Sequence, residues 1–217
     1  GLRVGTKGAL LDTRNAFSME AFLNRPAVLE LERLADEGDK AFLMGLLLIR
    51  LVEFRRGQAR AADTGRAMGD TLHHVLVIEE AHRLLRRQET GVPAGAAAHA
   101  VEMFAGLLAE IRAYGEGLVI AEQIPDRLVP DVIKNTAVKI THRLPAADDR
   151  EAVGATMNMT QAQNRFLVTL RPGEAAVFTE GMDFPLLARM PDGTAREAAV
   201  PAGQAAGPAA GPAAEAA

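Results

Sequence analysis

The sequence of 217 residues predicts an α/β chain built on a mainly parallel sheet. Short β-type apolar runs alternate with longer segments whose apolar residues recur at helical spacing, the order that links parallel strands through helices. The run Val75-Leu76-Val77-Ile78 is apolar on both faces, as a strand covered from both sides of a parallel sheet is, and Leu118-Val119-Ile120-Ala121 is a second short run of the same kind. Both runs stop at polar residues, Glu79-Glu80 and Glu122-Gln123, and in such sheets ligands gather at the carboxyl ends of strands.

Taken in order, Ala27-Val28-Leu29-Glu30-Leu31 after Pro26 predicts a strand. Asp36 then precedes a stretch from Lys40 to Arg55, apolar almost all round, that predicts a buried helix. Arg55 to Asp70 is polar, arginine-rich and contains glycine, which reads as an exposed loop. The strand at Val75 to Ile78 leads into one or two helical turns over Ala81 to Arg87 and a loop over Gln88 to Gly95. Val101, Phe104, Leu107, Leu108 and Ile111 fall on one face of a helix running from about Ala97 to Tyr114, and Gly115 suits its C-terminal cap. Beyond the strand at Leu118 to Ala121, a short helix spans Asp131 to Ile133 and a strand covers Ala137 to Ile140. Two helices, Asp148 to Met157 and Thr160 to Val168, precede a closing pair of strands, Gly173 to Phe178 and Pro185 to Arg189. Residues 191–217 form a low-complexity tail whose last part, Pro201 to Ala217, carries recurrent proline and glycine among alanines and is expected to be flexible.

Apolar residues make up 48% of the chain and aromatics only 4%, so the core must be aliphatic. The absence of cysteine excludes disulfides, thiolate metal sites and cysteine nucleophiles, and makes the cytoplasm the expected compartment. The apolar run Ala41 to Ile49 is cut by Arg50 well short of the roughly 20 residues a membrane-spanning helix needs. The start, Gly1-Leu2-Arg3, has neither a methionine nor a charged-then-apolar leader, so the chain is expected to be a piece of something longer. A net charge of −4 offers no general basic field, and a nucleic-acid partner would need a local patch. Arg55, Arg56, Arg60 and Arg66, with Arg86 and Arg87, are the candidates for one, although each taken singly suits a solvated surface. The five histidines show no spacing that recommends a metal site.

Four residues stand out for chemistry. Taken singly, Glu79 and Glu80 suit the start of a helix, where a carboxylate gains about 0.3–1 kcal/mol from the macrodipole, Arg112 suits a helix end, and Gln123 suits a turn. Two adjacent carboxylates at the end of a buried strand are nonetheless costly to bring together unless a cation or an activated water lies between them and a ligand. A magnesium nucleotide supplies that reason: one acid holds the metal through its water shell, the next orients the attacking water, an arginine neutralises growing charge, and a glutamine senses the terminal phosphate.

The string His74-Val75-Leu76-Val77-Ile78-Glu79-Glu80-Ala81-His82-Arg83-Leu84-Leu85, followed by Ala109-Glu110-Ile111-Arg112-Ala113-Tyr114-Gly115 and Leu118-Val119-Ile120-Ala121-Glu122-Gln123-Ile124-Pro125, resembles the HerA branch of the FtsK–HerA ATPases. The likeness extends over Ala27 to Arg55 and Ile133 to Arg189. It implies a RecA-like P-loop NTPase core, of which residues 1–190 would be the C-terminal portion, with Glu79 ordering magnesium, Glu80 activating water, Arg112 as a finger acting in trans and Gln123 as sensor. Glu79 stands where aspartate is more usual. The resemblance further implies ATP and Mg²⁺ as cofactors, a homohexameric ring, duplex DNA as the translocated partner, and room for a nuclease partner. No G-x-x-x-x-G-K-[ST] occurs in the chain, and the resemblance puts that loop upstream, so the chain alone is expected to be inactive. A conjugation or secretion ATPase, or a ring scaffold without catalysis, are the alternatives.

Overall fold

The computed structural model describes residues 18–32, 34, 36–61, 71–87 and 96–194. The expected tail from Pro201, the loop Gln88 to Gly95 and Arg66 lie outside these residues. The chain divides into two compact units, one through Asn135 and one from Thr136.

The first unit begins with a short helix α1 (Met19–Leu23), whose N-cap Ser18 accepts a hydrogen bond from the Ala21 N–H. A long helix α2 (Glu37–Ala61) follows, started by the Asp36 carboxylate accepting from the Asp39 N–H and by acidic residues in its first turn. The segment Ala27 to Leu31 is irregular, not the expected strand, with Val28 and Leu29 exposed. It has no partner strand among the described residues, and β propensity without pairing does not make a strand.

Strand β1 (His74–Glu79) pairs in parallel with β2 (Glu116–Ala121), in a register that sets His74 opposite Glu116 and Glu79 opposite Ala121. Between them runs helix α3 (Ala96–Ile111), continued by a 3₁₀ turn, Arg112–Tyr114, that Gly115 closes with φ at 75°. That left-handed conformation is where glycine is favoured over any residue with a Cβ. Gly45 is needed for a different reason: a Cβ there would run into the Phe104 ring where α2 crosses α3. Leu48, Leu51 and Val52 of α2, Leu108 and Ile111 of α3, and Ile78 of β1 form the core with Leu84 and Leu85, backed by Leu76, Leu118 and Ile120. The other face of the pair stays open, Val75, Val77 and Val119 being 43%, 57% and 49% exposed.

Helix α2 continues six residues past Arg55, through the start of the stretch expected to be an exposed loop. Arginine is a good helix former, and here the charges have partners inside the unit. Arg55 is buried, its Nε and Nη2 on Oε1 of the fully buried Glu116 side chain, with Nη1 donating to Gln58 at 2.7 Å. His74 Nδ1 lies 2.7 Å from the other oxygen of Glu116. Arg56 grips both oxygens of Glu110 on α3, at 2.7 and 2.5 Å. A short helix α4 (Pro130–Lys134) ends the unit.

In the second unit β3 (Val138–Thr141), β4 (Glu174–Thr179) and β5 (Leu186–Arg189) form a sheet in that order, antiparallel throughout. Among the described residues, the parallel pairing expected of the sheet is thus confined to β1 and β2. The link from β4 to β5 is six residues long, which serves an antiparallel neighbour and is too short for the crossover a parallel one requires. Helices α5 (Ala147–Thr156) and α6 (Gln161–Phe166) lie between β3 and β4 in the chain, and Val153, Met157, Leu167, Leu170 and Ala176 form the core of the unit. Thr160 and Gln163 cap α6 reciprocally.

Replacing Arg55 by Met leaves Glu116 buried without its main counter-charge, and should cost about 3–5 kcal/mol, read as a lower urea midpoint. The double variant Arg55→Met/Glu116→Leu should recover most of that loss, because no buried charge is then left unpaired.

Candidate functional site

The parallel register brings the last residues of β1 and β2 side by side, so the residues just past each strand share one edge of the sheet. Glu79 ends β1 exposed, and its carboxylate makes no hydrogen bond or ion pair with a described residue. Glu80 leaves the strand in the left-handed region, with φ 51° and ψ 47°. For a residue with a Cβ this costs on the order of 1–3 kcal/mol, and surrounding bonds must hold it. Its N–H donates to the Ala121 carbonyl at 3.0 Å, and its own carbonyl accepts from the Arg83 N–H at 3.0 Å. Arg83 also reaches back with its side chain, Nε at 2.9 Å and Nη2 at 2.5 Å from Oε2 of Glu80.

Across the edge, Glu122 follows β2 directly and its side chain is only 5% exposed. One carboxylate oxygen accepts from the N–H groups of Gln123 and Ile124, at 2.8 and 3.0 Å. The other accepts from the His82 N–H at 3.0 Å and lies 2.9 Å from His82 Nδ1. Burial by itself would raise the pKa of this carboxyl, but the N–H groups of Ile124 and His82 and the His82 ring together hold it below the ordinary value of 4.5. Glu122 therefore clips the turn carrying Glu80 to the turn carrying Gln123. The clip extends outward through Val129 N–H to the Leu85 carbonyl at 2.9 Å and Arg87 N–H to the Arg127 carbonyl at 2.7 Å. Gln123 itself has an exposed side chain. Sequence reasoning singled out its neighbour and passed over Glu122; the available signal was an acid directly after an apolar strand.

Arg112 opens the 3₁₀ turn ahead of β2, exposed and without a partner among the described residues. Glu79, Glu80 and Gln123 are thus gathered at the carboxyl edge, whereas Arg112 sits at the amino end of β2. Six strand residues lie between, roughly 20 Å at about 3.3 Å each.

The arginines considered for nucleic acid divide. Arg55 is buried on Glu116. Arg56 is held by Glu110, whose pKa is pulled down to about 2 by Arg56 first and the Tyr114 hydroxyl second. Arg87 pairs with Asp126 at 2.8 Å, while Arg60 in the last turn of α2 and Arg86 are exposed.

Among the described residues no group of three or more His, Asp or Glu side chains could hold a metal ion. What the edge offers a cation is one free carboxylate, Glu79, with Glu80 beside it. That donor set fits magnesium, which keeps most of its waters and takes one or two carboxylates together with substrate phosphates. No described helix is long and apolar enough to cross a membrane.

Acid should expose the carboxylates that work as charges. The folded-state pKa values of Glu122 and Glu110 lie below 4.5, so their stabilisation is full above about pH 4.5 and is lost as pH falls through the folded values, near 2 for Glu110. The variant Glu122→Gln should lower stability at pH 7 by about 1–3 kcal/mol, and its unfolding midpoint should fall less steeply than the wild-type one between pH 5 and 3. Thermal unfolding followed by circular dichroism across that range measures both.

No family model and no curated protein matches the chain. Among solved structures, it is similar to the genome packaging NTPase B204 from Sulfolobus turreted icosahedral virus 2 in complex with ATP-gammaS, at 16% identity over 82% of this chain and 74% of that one, with a TM-score of 0.52. The sulfate complex of the same NTPase aligns at 16% identity over 56% of this chain and 55% of its own, with a TM-score of 0.43. The pCW3 conjugation coupling protein TcpA with ATPgS aligns at 20% identity over 70% of this chain and 44% of that one, with a TM-score of 0.46. The chain thus spans about half to three quarters of the length of these structures. The fold is α/β and similar to part of the RecA-like core of the B204 NTPase.

Proposed function

We propose that the chain is part of an ATP-driven motor subunit that translocates double-stranded DNA, of the HerA-like kind, working in a homohexameric ring that can serve a nuclease. The observation that carries this is the juxtaposition of Glu79, Glu80 and Gln123 on one edge of a parallel strand pair in a chain with a P-loop NTPase fold. B204 and TcpA, which share features of that fold, are a genome packaging NTPase and a conjugation coupling protein, so movement of DNA is the function the likeness favours.

Glu79 would hold magnesium through water, and the bound ion would neutralise charge on the phosphates of ATP. Glu80 takes the proton of the attacking water on its carboxylate, and Gln123 hydrogen-bonds the terminal phosphate from the adjoining turn. Arg112, a strand's length from its own Glu80, serves a neighbouring subunit's nucleotide, which accounts for an exposed guanidinium with no partner among the described residues. The phosphate-cradling loop, absent from this sequence, comes from an upstream segment in this reading. Arg60 and Arg86, exposed, are the better candidates among the arginines for contacts with DNA.

ATPase assays on the full-length protein, with and without duplex DNA, test the reading. Turnover should rise with DNA; Glu80→Gln should lower it by on the order of a hundredfold or more while ATP still binds. Arg112→Ala should be equally inactive, yet rings mixed from the two variants should regain part of the activity, since some sites then combine an intact base with an intact finger. Absence of DNA-stimulated turnover would leave a ring scaffold in place of a motor, and absence of recovery in mixed rings would overturn action in trans.

A further inference from the structure

We infer that Arg83 is a positioning residue that sets the carboxylate of Glu80 for its work as a base; this rests on Glu80 having that role. Two N–H groups of Arg83, Nε at 2.9 Å and Nη2 at 2.5 Å, converge on a single oxygen of Glu80, Oε2. The other oxygen, Oε1, has no partner among the described residues. A carboxylate fixed in this way cannot rotate freely about its last bond, and it keeps one acceptor open toward a water. The need for such a hold is local. Glu80 stands in a left-handed backbone just past the strand, with its side chain 41% exposed, and among the described residues only Arg83 hydrogen-bonds that carboxylate.

Arg83 is in turn anchored from the opposite side. Its Nη1 meets Oε2 of Glu37 in the first turn of α2, and Oε1 of Glu37 accepts from Lys40 at 2.8 Å. The guanidinium therefore bridges a long packed helix and the end of β1, with its side chain only 26% exposed. A planar fork with five donors can serve two carboxylates at once, which a lysine ammonium does less well. Because the Arg83 guanidinium is shared between Glu80 and Glu37, its charge is not given to Glu80 alone.

The test compares steady-state ATPase kinetics of wild type, Arg83→Ala, Arg83→Lys, Glu80→Gln and the double variant Glu80→Gln/Arg83→Ala in the full-length protein with duplex DNA. Arg83→Ala should lower kcat by about tenfold to a hundredfold, the scale of a misplaced reacting group, with KM for ATP within about twofold. Arg83→Lys should regain part of kcat, because one donor to Oε2 is restored. The double variant should be no slower than Glu80→Gln alone, since Arg83 acts only through Glu80. A kcat for Arg83→Ala equal to or above wild type, or a double variant slower than Glu80→Gln by the full Arg83→Ala factor, would overturn the inference. Full activity in Glu80→Gln would instead remove the role of Glu80 itself, a result separable from either.

Discussion

The carboxylate of Glu122 is the contact on which the arrangement of the candidate site depends. A buried carboxylate needs several donors to stay charged, and here three backbone N–H groups and one imidazole supply them. Those donors belong to two turns forty residues apart in sequence, so satisfying one side chain fixes the position of both. Without that clip, Gln123 and the turn after Glu80 would be joined only through the backbone hydrogen bonds on either side of them. With it, the chemistry-bearing residues need only point outward from a frame that is already set.

The same device closes the other end of the strand pair. Glu116, first residue of β2, accepts from Arg55 and pairs with His74, first residue of β1, so a glutamate and a histidine join the two strands at each end. A sheet of two strands has little stability of its own, and the open face at Val75, Val77 and Val119 adds none. The apolar face on α2 and α3 supplies the burial, which favours one register, and the two acidic clips at the strand ends reinforce it.

What the sequence reveals and what it conceals follow from the range of the interactions. The strands at Val75 and Leu118, the cap at Gly115 and the capped helix after Thr160 rest on neighbours within a few residues, and are legible there. The acidic pair and Gln123 are legible because strand ends announce themselves by an abrupt change of polarity. Arg55 reads as a solvated charge because its partner, Glu116, lies 61 residues away, and the helix that carries it is cut short in the reading for the same reason. The segment at Ala27 fails in the opposite direction: its β-type residues make a strand only beside another strand. Glu122 is hidden because nothing in a linear sequence says that His82 faces it.

The arginines of the first unit then sort by what they face. Arg55 and Arg56 tie α2 to β2 and α3, and Arg83 ties α2 to the end of β1, each through carboxylates of the same unit. Arg112 carries a charge that meets no counter-charge among the described residues, and it does so at the end of β2 remote from Glu80. An isolated arginine of this kind contributes little to its own fold, since an exposed charge is well solvated and gains nothing by pairing weakly. If Arg112 serves a second copy, as proposed, a site completed by its guanidinium would not turn over until the copies assemble. In the proposed reading, intramolecular pairing of Arg83 with Glu80 and intermolecular use of Arg112 are complementary: the first would hold the base within one subunit, and the second would supply a charge from an assembled neighbour.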